Sequence, residues 1–436
     1  MARRDPSTQP AGGISLGLCW LLLALAQPTG CKKNQSIPTS DAAPGSVVAV
    51  AQAPADRPAD EARRGVGWYP NIEVDADNRL HLAWVDADVG DVRYAVSAPG
   101  ASSIEATAVE PVDVRGAVGA YLRLAVGPGG VPFLLYMHQD EKTLRLAHRP
   151  NDRAALAAAG GDIDDSPMPE LGLQPVEGRP GKAAGAFVVE DVAFGSEVGR
   201  GGALVLDEQA RPHVLYYAGD QLRLARRPRD VPAFGPGGLG HWEKLDVDTA
   251  SASPRVQTDL RILRDGTLVA SYAHDVMSDS RLRMAVFPAG ADGFAVFEHP
   301  GPPIELDGTL STIVADDAGA VDVAAWHQSE GALMISHLDV KTPAPPTRTR
   351  LLAVDGAALA RRSATGTFVL ARSRNDDDAG VFLFEIPLAD TAQARRTRLQ
   401  AGRQDDSWID VAVRPDGRPA AVWYSAEKKA LMLYAP

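Results

Sequence analysis

The chain has 436 residues, an apolar share of 45% and a formal net charge of -12. This length and composition suffice for two or three ordinary domains or for one large repetitive domain. The acidic balance argues against a nucleic-acid-binding protein, because such proteins need a concentrated basic face. It also argues against electrostatic docking to anionic lipid.

The first 30 residues have the pattern of an export signal. Arg3 and Arg4 form a short positive region, and an apolar stretch follows from Ile14 to Ala26. That stretch is too short for a membrane-spanning helix, which needs about 20 residues. We therefore predict that residues 1–30 are a signal peptide.

Two cleavage sites are compatible with this signal. Ala24-Leu25-Ala26 fits the A-x-A rule of ordinary signal peptidase, which would give a secreted or periplasmic protein. The segment from Pro28 to Cys31 resembles the lipobox of bacterial lipoproteins, although Pro28 stands where that family prefers Leu. Cys19 lies within the signal, so Cys31 would be the one cysteine of the mature chain and needs an explanation other than a disulfide. We favour lipidation of Cys31 and anchoring in the outer or cytoplasmic membrane.

Residues 31–45 are predicted to be the flexible, lipid-anchored tether. The segment that continues to residue 64 is rich in Ala, Pro, Asp and Ser, which is typical of a linker. One run within it, Ser46–Ala51 (SVVAVA), instead has the composition of a β-strand.

A repeated unit fills the rest of the chain. Each unit has a period-two strand, a tight turn and a second strand, with an aromatic residue at its end in all units but one. A third and a fourth strand follow in most units. The end positions of the second strands are Trp84, Tyr136, Tyr216, Tyr272, Trp326, Arg372 and Trp423. Four short strands recurring about every 50 residues are typical of a β-propeller.

The seventh unit stops one strand short, since the chain ends at Pro436. We predict that Ser46–Ala51 supplies the missing outer strand, because this would cover a sheet edge that is otherwise exposed. The expected fold is therefore an all-β, seven-bladed β-propeller spanning residues 46–436, with an insertion loop at residues 150–185.

The repeats, with 241–266 (HWEKLDVDTASASPRVQTDLRILRDG) as the nearest piece, resemble the exo-sialidase/Asp-box superfamily of propellers. The Asp-box itself, Ser-x-Asp-x-Gly-x-x-Trp, does not occur, and that superfamily usually has six blades rather than seven. The resemblance therefore implies a fold and transfers no catalytic residue.

Candidate ligand-binding residues follow from the strand period. Innermost strands of a propeller line its channel, and their loops meet at one mouth, where polar side chains form a candidate site. On the innermost strands the channel-facing candidates are Asn71, Arg123, Asp259, Arg261, Arg361 and Asp410. In the loops after the second strands the candidates are Asp86, His138, His274, His327 and Arg374. These residues could equally well only satisfy one another, for example as ion pairs between the arginines and Glu73, Asp259 or Asp410. We predict no metal site and no cofactor, because the histidines belong to separate repeats.

Three functions remain open from the sequence. The favoured one is a monomeric, non-enzymatic binding module at the cell envelope, tethered to the membrane by its lipid and binding a protein or glycan but no nucleic acid. The second is a glycosidase or polysaccharide lyase acting on acidic glycans, in which Arg123, Arg261 and Arg361 would clamp a sugar carboxylate. A His or Tyr would then act as acid or base, with His138, His274, Tyr69 and Tyr121 as candidates. The third is a purely structural envelope protein.

Overall fold

The computed structural model describes a chain that is almost entirely β. The described residues are 39–43, 46–52, 65–105, 108–114, 116–149, 187–195, 198–230, 241–249, 258–276, 279–291, 293–298, 311–315, 320–327, 332–340, 347–352, 358–362, 366–373, 379–387, 393–402 and 408–436. The predicted signal peptide, Cys31 and the predicted insertion loop lie outside them. Within these ranges no helix has the length and apolarity needed to cross a bilayer.

The strands fall into sheets that follow the chain in order. Two short strands come first: β1 (Thr39–Asp41) and β2 (Val47–Gln52). The first sheet contains β3 (Val66–Val74), β4 (Leu80–Asp86), β5 (Asp91–Val96) and β6 (Glu110–Asp113). The second contains β7 (Val118–Gly127), β8 (Val131–His138), β9 (Thr143–His148) and β10 (Val188–Phe194), with a 3₁₀ turn at Pro128–Gly130 between β7 and β8.

The third and fourth sheets repeat this plan. The third contains β11 (Ala203–Leu206), β12 (Pro212–Ala218), β13 (Gln221–Arg226) and β14 (Glu243–Thr249). The fourth contains β15 (Asp259–Ile262), β16 (Leu268–Val276), β17 (Asp279–Phe287) and β18 (Ala295–Glu298).

The last three sheets complete the described part of the chain. The fifth contains β19 (Ser311–Ala315), β20 (Ala320–His327), β21 (Ala332–Asp339) and β22 (Thr347–Leu352). The sixth contains β23 (Ala358–Arg362), β24 (Gly366–Ser373), β25 (Gly380–Pro387) and β26 (Arg395–Ala401), together with β1. The seventh contains β27 (Ile409–Val413), β28 (Pro419–Ser425) and β29 (Ala430–Tyr434), together with β2.

The first strand of each set is its innermost strand. Each innermost strand contacts its counterparts in the two neighbouring sheets, and β27 of the last sheet contacts β3 of the first. Four-stranded antiparallel sheets set side by side around shared innermost strands define a β-propeller architecture.

Both N-terminal strands extend sheets built from the C-terminal part of the chain. The predicted strand Ser46–Ala51 is found one residue later as β2, which pairs antiparallel with β29 from Val47↔Tyr434 to Gln52↔Ala430. Residues 39–41 differ from the predicted flexible tether: they form β1, which is exposed and pairs in parallel with β26. A fifth strand on the sixth sheet satisfies backbone groups that an outer edge would leave to solvent.

The hydrophobic core lies between neighbouring sheets. Alternate residues of a strand point to opposite faces, so a sheet between two others is apolar on both. One cluster packs Ile72 and Trp84 of the first sheet against Val422 and Leu433 of the seventh. Similar clusters join the first sheet to the second, the second to the third, the third to the fourth and the sixth to the seventh.

A polar latch joins several neighbouring sheets near their outer strands. The Tyr136 hydroxyl of the second sheet donates to Asp113 of the first at 2.8 Å, and Arg145 Nη1 lies 3.3 Å from the same carboxylate. Tyr272 and Arg283 contact Asp248 in the same way, and Trp423 Nε1 donates to Gln400 at 2.5 Å.

Among the described residues, no such latch joins the seventh sheet to the first. Each latch acceptor lies on the outer strand of its sheet, opposite the second residue of the third strand. In the seventh sheet, Ala51 of β2 occupies the equivalent position opposite Leu431. The indole N–H of Trp84 is buried and has no hydrogen-bond partner among the described residues. A buried donor without an acceptor lowers the stability of this junction.

Candidate functional site

A concavity, partly open to solvent, lies where the innermost strands begin. It is lined by Tyr69, Pro70, Asn71, Glu73, Arg123, Leu124, Ala203, Leu204, Thr258, Asp259, Arg261, Trp408, Ile409 and Asp410. These residues come from the seventh, first, second, third and fourth sheets. The predicted channel-facing residues Asn71, Arg123, Asp259, Arg261 and Asp410 are all among them.

The first and second sheets enter the cavity through the same local structure. Both innermost strands begin with Val-Gly-x-Tyr: Val66 to Tyr69 and Val118 to Tyr121. Both have register irregularities at this segment. The glycines have φ of 113° and 99°, and a Cβ on either would lie within 3 Å of the neighbouring strands, so glycine is required. Tyr69 and Tyr121 follow with φ of 48° and 57°.

The third sheet has the same local structure without the aromatic residue. Its innermost strand is preceded by Val198-Gly199-Arg200-Gly201, and φ is 86° at Gly199 and 60° at Gly201. A non-glycine residue in this left-handed region costs roughly 1 kcal/mol or more relative to glycine. Because Gly201 forms this backbone unaided, the tyrosines of the first two sheets are not needed to build it.

The rings of Trp408 and Tyr69 line one side of the cavity, and the ring of Tyr121 packs beside Tyr69 at the edge of this lining. Trp408 stands two residues before Asp410, as Tyr69 stands two before Asn71 and Tyr121 two before Arg123. The centroids of Trp408 and Tyr69 are 5.1 Å apart, and those of Tyr69 and Tyr121 are 5.8 Å apart. All three side chains are half-buried. We call these three residues the aromatic row.

Two more aromatic side chains support the row. Trp68 lies 4.3 Å from Trp408 by ring centroids, and Tyr424 lies 5.9 Å from Trp408. Trp68 is half-buried and Tyr424 is buried. Packing on such neighbours restricts the rotamers of Trp408 and so holds its ring at the cavity.

Three polar lining residues hold neighbouring innermost strands together. Asp410 accepts a hydrogen bond from the Ile72 backbone N–H at 3.0 Å, and Asp259 accepts one from the Ile313 N–H at 2.8 Å. Asn71 accepts from the Leu124 N–H at 3.3 Å and donates to the Leu122 carbonyl at 2.9 Å. These side chains were predicted as ligand contacts, and in the structure they form hydrogen bonds from one sheet to the next.

The two described arginines of the cavity have different surroundings. Arg261 lies 3.5 Å from Asp259 and donates through Nε to the Ile313 carbonyl at 3.2 Å. Arg123 donates to the Leu122 carbonyl at 3.1 Å. The described lining holds the carboxylates of Glu73, Asp259 and Asp410 and only these two guanidinium groups. The described part of the cavity therefore carries no excess of positive charge.

The Tyr69 hydroxyl is protonated at neutral pH. Burial is the main cause that raises its pKa from the usual 10.0 to about 12; the nearby Tyr121 adds to the effect and Arg123 opposes it. A group that holds its proton this firmly can donate a hydrogen bond to a ligand oxygen. It is a poor general base at physiological pH.

The predicted loop residues lie elsewhere or outside the described side chains. His138 is buried in its own turn, where Nδ1 accepts from the Glu141 N–H at 3.2 Å and Nε2 lies 3.5 Å from the Glu141 carboxylate. Asp86 is buried and accepts from the Asp88 N–H at 3.3 Å. Neither they nor the half-buried His274 belong to the described lining. The side chains of His327 and Arg361, and all of Arg374, lie outside the described residues.

The described residues contain no group of three or more His, Cys, Asp or Glu side chains placed to hold a metal ion. From the sequence, Tyr69 and Tyr121 were only acid or base candidates and Trp408 was not singled out, because all three residues precede the alternating part of their innermost strands. The repeated Val-Gly-x-Tyr segment is the signal that could have revealed Tyr69 and Tyr121 as equivalent.

Comparisons with known proteins give similarities of structure only. No protein-family model matches the chain, and no curated protein matches it. The polysaccharide lyase Uly1 is 10% identical, with 91% of this chain and 95% of that chain covered and a TM-score of 0.47. An alpha-L-arabinanase from Penicillium chrysogenum, complexed with arabinobiose, is 12% identical over 89% and 96%, with a TM-score of 0.44. The SapL1 lectin, complexed with alpha methyl fucoside, is 10% identical over 79% and 99%, with a TM-score of 0.43. At TM-scores below 0.5 these similarities assign neither an activity nor a ligand to this chain.

Proposed function

We propose that the protein binds carbohydrate in the cavity bordered by the aromatic row. The observation that carries this proposal is the pair of tyrosines at positive φ where the third sheet uses glycine. Residues held in costly backbone conformations concentrate at functional sites. Glycine at the equivalent position of the third sheet gives the same backbone without this conformational cost. We therefore attribute the presence of Tyr69 and Tyr121 to a role of their side chains.

The chemistry of the cavity suits a sugar. Tyr and Trp offer a flat apolar face together with a polar tip. A sugar ring has the matching character, because its C–H groups cover aromatic faces while its hydroxyl groups seek polar partners. Glu73, Arg123 and Tyr69 line the cavity, where their polar groups would form hydrogen bonds with the sugar hydroxyl groups. A few polar groups in an aromatic concavity are typical of small-molecule sites.

Binding without catalysis fits the described residues better than hydrolysis or lyase chemistry. Tyr69 keeps its proton, and Asp259 and Asp410 are each committed to backbone N–H groups. The proposed clamp of Arg123, Arg261 and Arg361 loses support because Arg261 lies beside Asp259. An enzyme acting on acidic glycans remains the second outcome of the test below.

We propose further that the sheets form a seven-bladed ring closed by β2. The pairing of β2 with β29 and the contact between β27 and β3 support this. On this proposal the chain between β2 and β3 links the outer strand of the last blade to the inner strand of the first. Deleting residues 46–52 would then expose the edge of β29 and lower the melting temperature.

The location is also a proposal: a monomer exported to the bacterial cell envelope and anchored through lipid on Cys31. The support is the sequence of residues 1–31 alone. Cys31→Ser should move the protein from the membrane fraction to the soluble fraction without changing its melting temperature. Retention of the variant in the membrane would overturn the anchoring proposal.

Carbohydrate binding is tested by titrating the purified protein with a panel of glycans in a calorimeter. The panel contains oligomers of glucose, mannose, galactose, xylose and arabinose, together with oligogalacturonate as an acidic probe. We expect binding of at least one neutral sugar and loss of that binding in Trp408→Ala. Phe194→Ala is the matched control, since Phe194 is 68% exposed and lies outside the cavity lining. Release of new reducing ends or unsaturated products would favour the enzymatic alternative, and silence across the panel would overturn the proposal.

A further inference from the structure

We infer that the ligand is a neutral oligosaccharide of at least three sugar units, bound along the aromatic row from Trp408 past Tyr69 to Tyr121. This inference rests on the proposed carbohydrate-binding function and adds the length, path and charge of the ligand. It is carried by the spacing of the rings, by the change of side chains at the third sheet and by the charges of the described lining.

The spacing of the rings matches a chain rather than a single sugar. Centroid separations of 5.1 Å and 5.8 Å along the row are close to the length of one sugar unit within an oligosaccharide. A monosaccharide would cover one ring and leave the other two to water. Three rings supplied by three successive sheets provide one stacking position for each of three units.

The row ends at the third sheet, where the side chains become small. Gly201 occupies the position of Tyr69 and Tyr121, and Gly202 and Ala203 follow it. The Gly201 carbonyl is occupied by the Thr258 side chain and backbone N–H of the next sheet. This side of the cavity therefore carries small side chains and a Gly201 carbonyl that already accepts two hydrogen bonds, so a longer chain can pass over it without a steric barrier and without gaining a further stacking contact.

The charges favour an uncharged chain. Three carboxylates and two guanidinium groups line the described cavity, and Arg261 is next to Asp259. A polyanion passing this lining would meet more carboxylates than guanidinium groups and would have to compete with Asp259 for Arg261. Like charges brought together in a partly desolvated site cost binding free energy.

The test is the dependence of affinity on chain length. The mono-, di-, tri- and tetrasaccharide of the neutral sugar selected by the panel are titrated against the wild-type protein under one set of conditions. We expect affinity to rise at least tenfold from the monosaccharide to the trisaccharide and by less than threefold from the trisaccharide to the tetrasaccharide. Equal affinity for all four lengths overturns the inference while leaving carbohydrate binding intact. Absence of binding at every length overturns carbohydrate binding itself.

Variants of Tyr121 locate the chain on the row. Tyr121→Gly gives the second sheet the residue that the third sheet has, and should weaken trisaccharide binding about tenfold and disaccharide binding by less than threefold. Tyr121→Phe keeps the ring and should retain the trisaccharide preference. If Tyr121→Gly weakens both lengths equally, or neither, the path is wrong. Tighter binding of trigalacturonate than of the neutral trisaccharide would overturn the assignment of charge.

Discussion

The first and third sheets enter the cavity through one backbone shape and present opposite side chains. In the first sheet Gly67 and Tyr69 take positive φ, and in the third Gly199 and Gly201 do so at the equivalent positions. Tyr69 adds a half-buried ring to the cavity, whereas Gly201 adds none. Because tyrosine and glycine adopt the same backbone conformation at these equivalent positions, folding does not explain why Tyr69 carries a ring and Gly201 does not.

The side-chain hydrogen bonds that join neighbouring innermost strands also differ between the side of the cavity with the aromatic row (the aromatic side) and the side with Gly201 (the glycine side). On the aromatic side, Asp410 and Asn71 reach the backbone N–H groups of the following sheets. On the glycine side, Ala203 holds the equivalent position, and the contact comes from Thr258 of the next sheet to the Gly201 carbonyl. The aromatic side is thus held by its own side chains, which fixes the strands that carry the rings.

Removing one of the side-chain hydrogen bonds that join innermost strands on the aromatic side should have the largest effect on stability. Asp410→Ala removes the acceptor for the buried Ile72 N–H and should lower the free energy of unfolding by about 2–3 kcal/mol. Asp410→Asn copies the residue at position 71 and should cost less than half as much. Urea unfolding measures both. Equal losses for the two variants would mean that the hydrogen bond to Ile72 is not the source of the stability.

Installing the missing latch should strengthen the junction between the seventh and first sheets. Ala51→Gln places an amide oxygen where Gln400 accepts the indole N–H of Trp423, and so gives the buried Trp84 N–H an acceptor. We expect a gain of about 1 kcal/mol in the free energy of unfolding, which is the usual worth of one hydrogen bond. Ala51→Leu is the control for added apolar volume. A gain in both variants would show that packing rather than the latch is responsible.

The smallest expected effect is that of pH on ligand affinity. Because the pKa of Tyr69 is raised to about 12, its hydroxyl keeps its proton and affinity should stay constant from pH 7 to pH 10. Between pH 10 and 12 the folded state holds a proton that the unfolded state has lost, so stability should fall as pH rises through this window. Absorbance at 295 nm follows the ionisation, with Tyr69→Phe as the reference. A loss of affinity centred near pH 10 would contradict the raised pKa.

The sequence predicted the strands well because their signals are local. The predicted end positions Trp84 and Trp423 lie within two residues of the ends of β4 and β28, since period-two alternation and turn residues mark these strands. The missing strand of the last repeat also led to β2, which was found displaced by one residue. β1 was not expected, because three polar residues that pair with an outer edge have no local signature.

The cavity was predicted only in part, for a physical reason. Strand period indicates which side chains of an innermost strand face inward, and the candidates Asn71, Arg123, Asp259, Arg261 and Asp410 chosen on this basis line the cavity, while their contact with a ligand stays a prediction. It carries no information about residues that precede the alternation or lie at register irregularities, and so it did not group Trp408, Tyr69 and Tyr121 as one aromatic row. It also placed His138 at the mouth, whereas the turn of His138 folds back onto Glu141.

The proposal that the aromatic row binds the ligand is tested most directly by replacing Tyr69 of the first sheet with glycine, the residue at the equivalent position of the third sheet. Tyr69→Gly should keep the fold, with a free energy of unfolding within about 2 kcal/mol of the wild type, because released backbone strain offsets part of the lost ring packing. Neutral trisaccharide binding measured by calorimetry on the same preparation should fall at least tenfold. A folded Tyr69→Gly protein that binds the trisaccharide as tightly as the wild type would contradict the proposal that the aromatic row is the binding site.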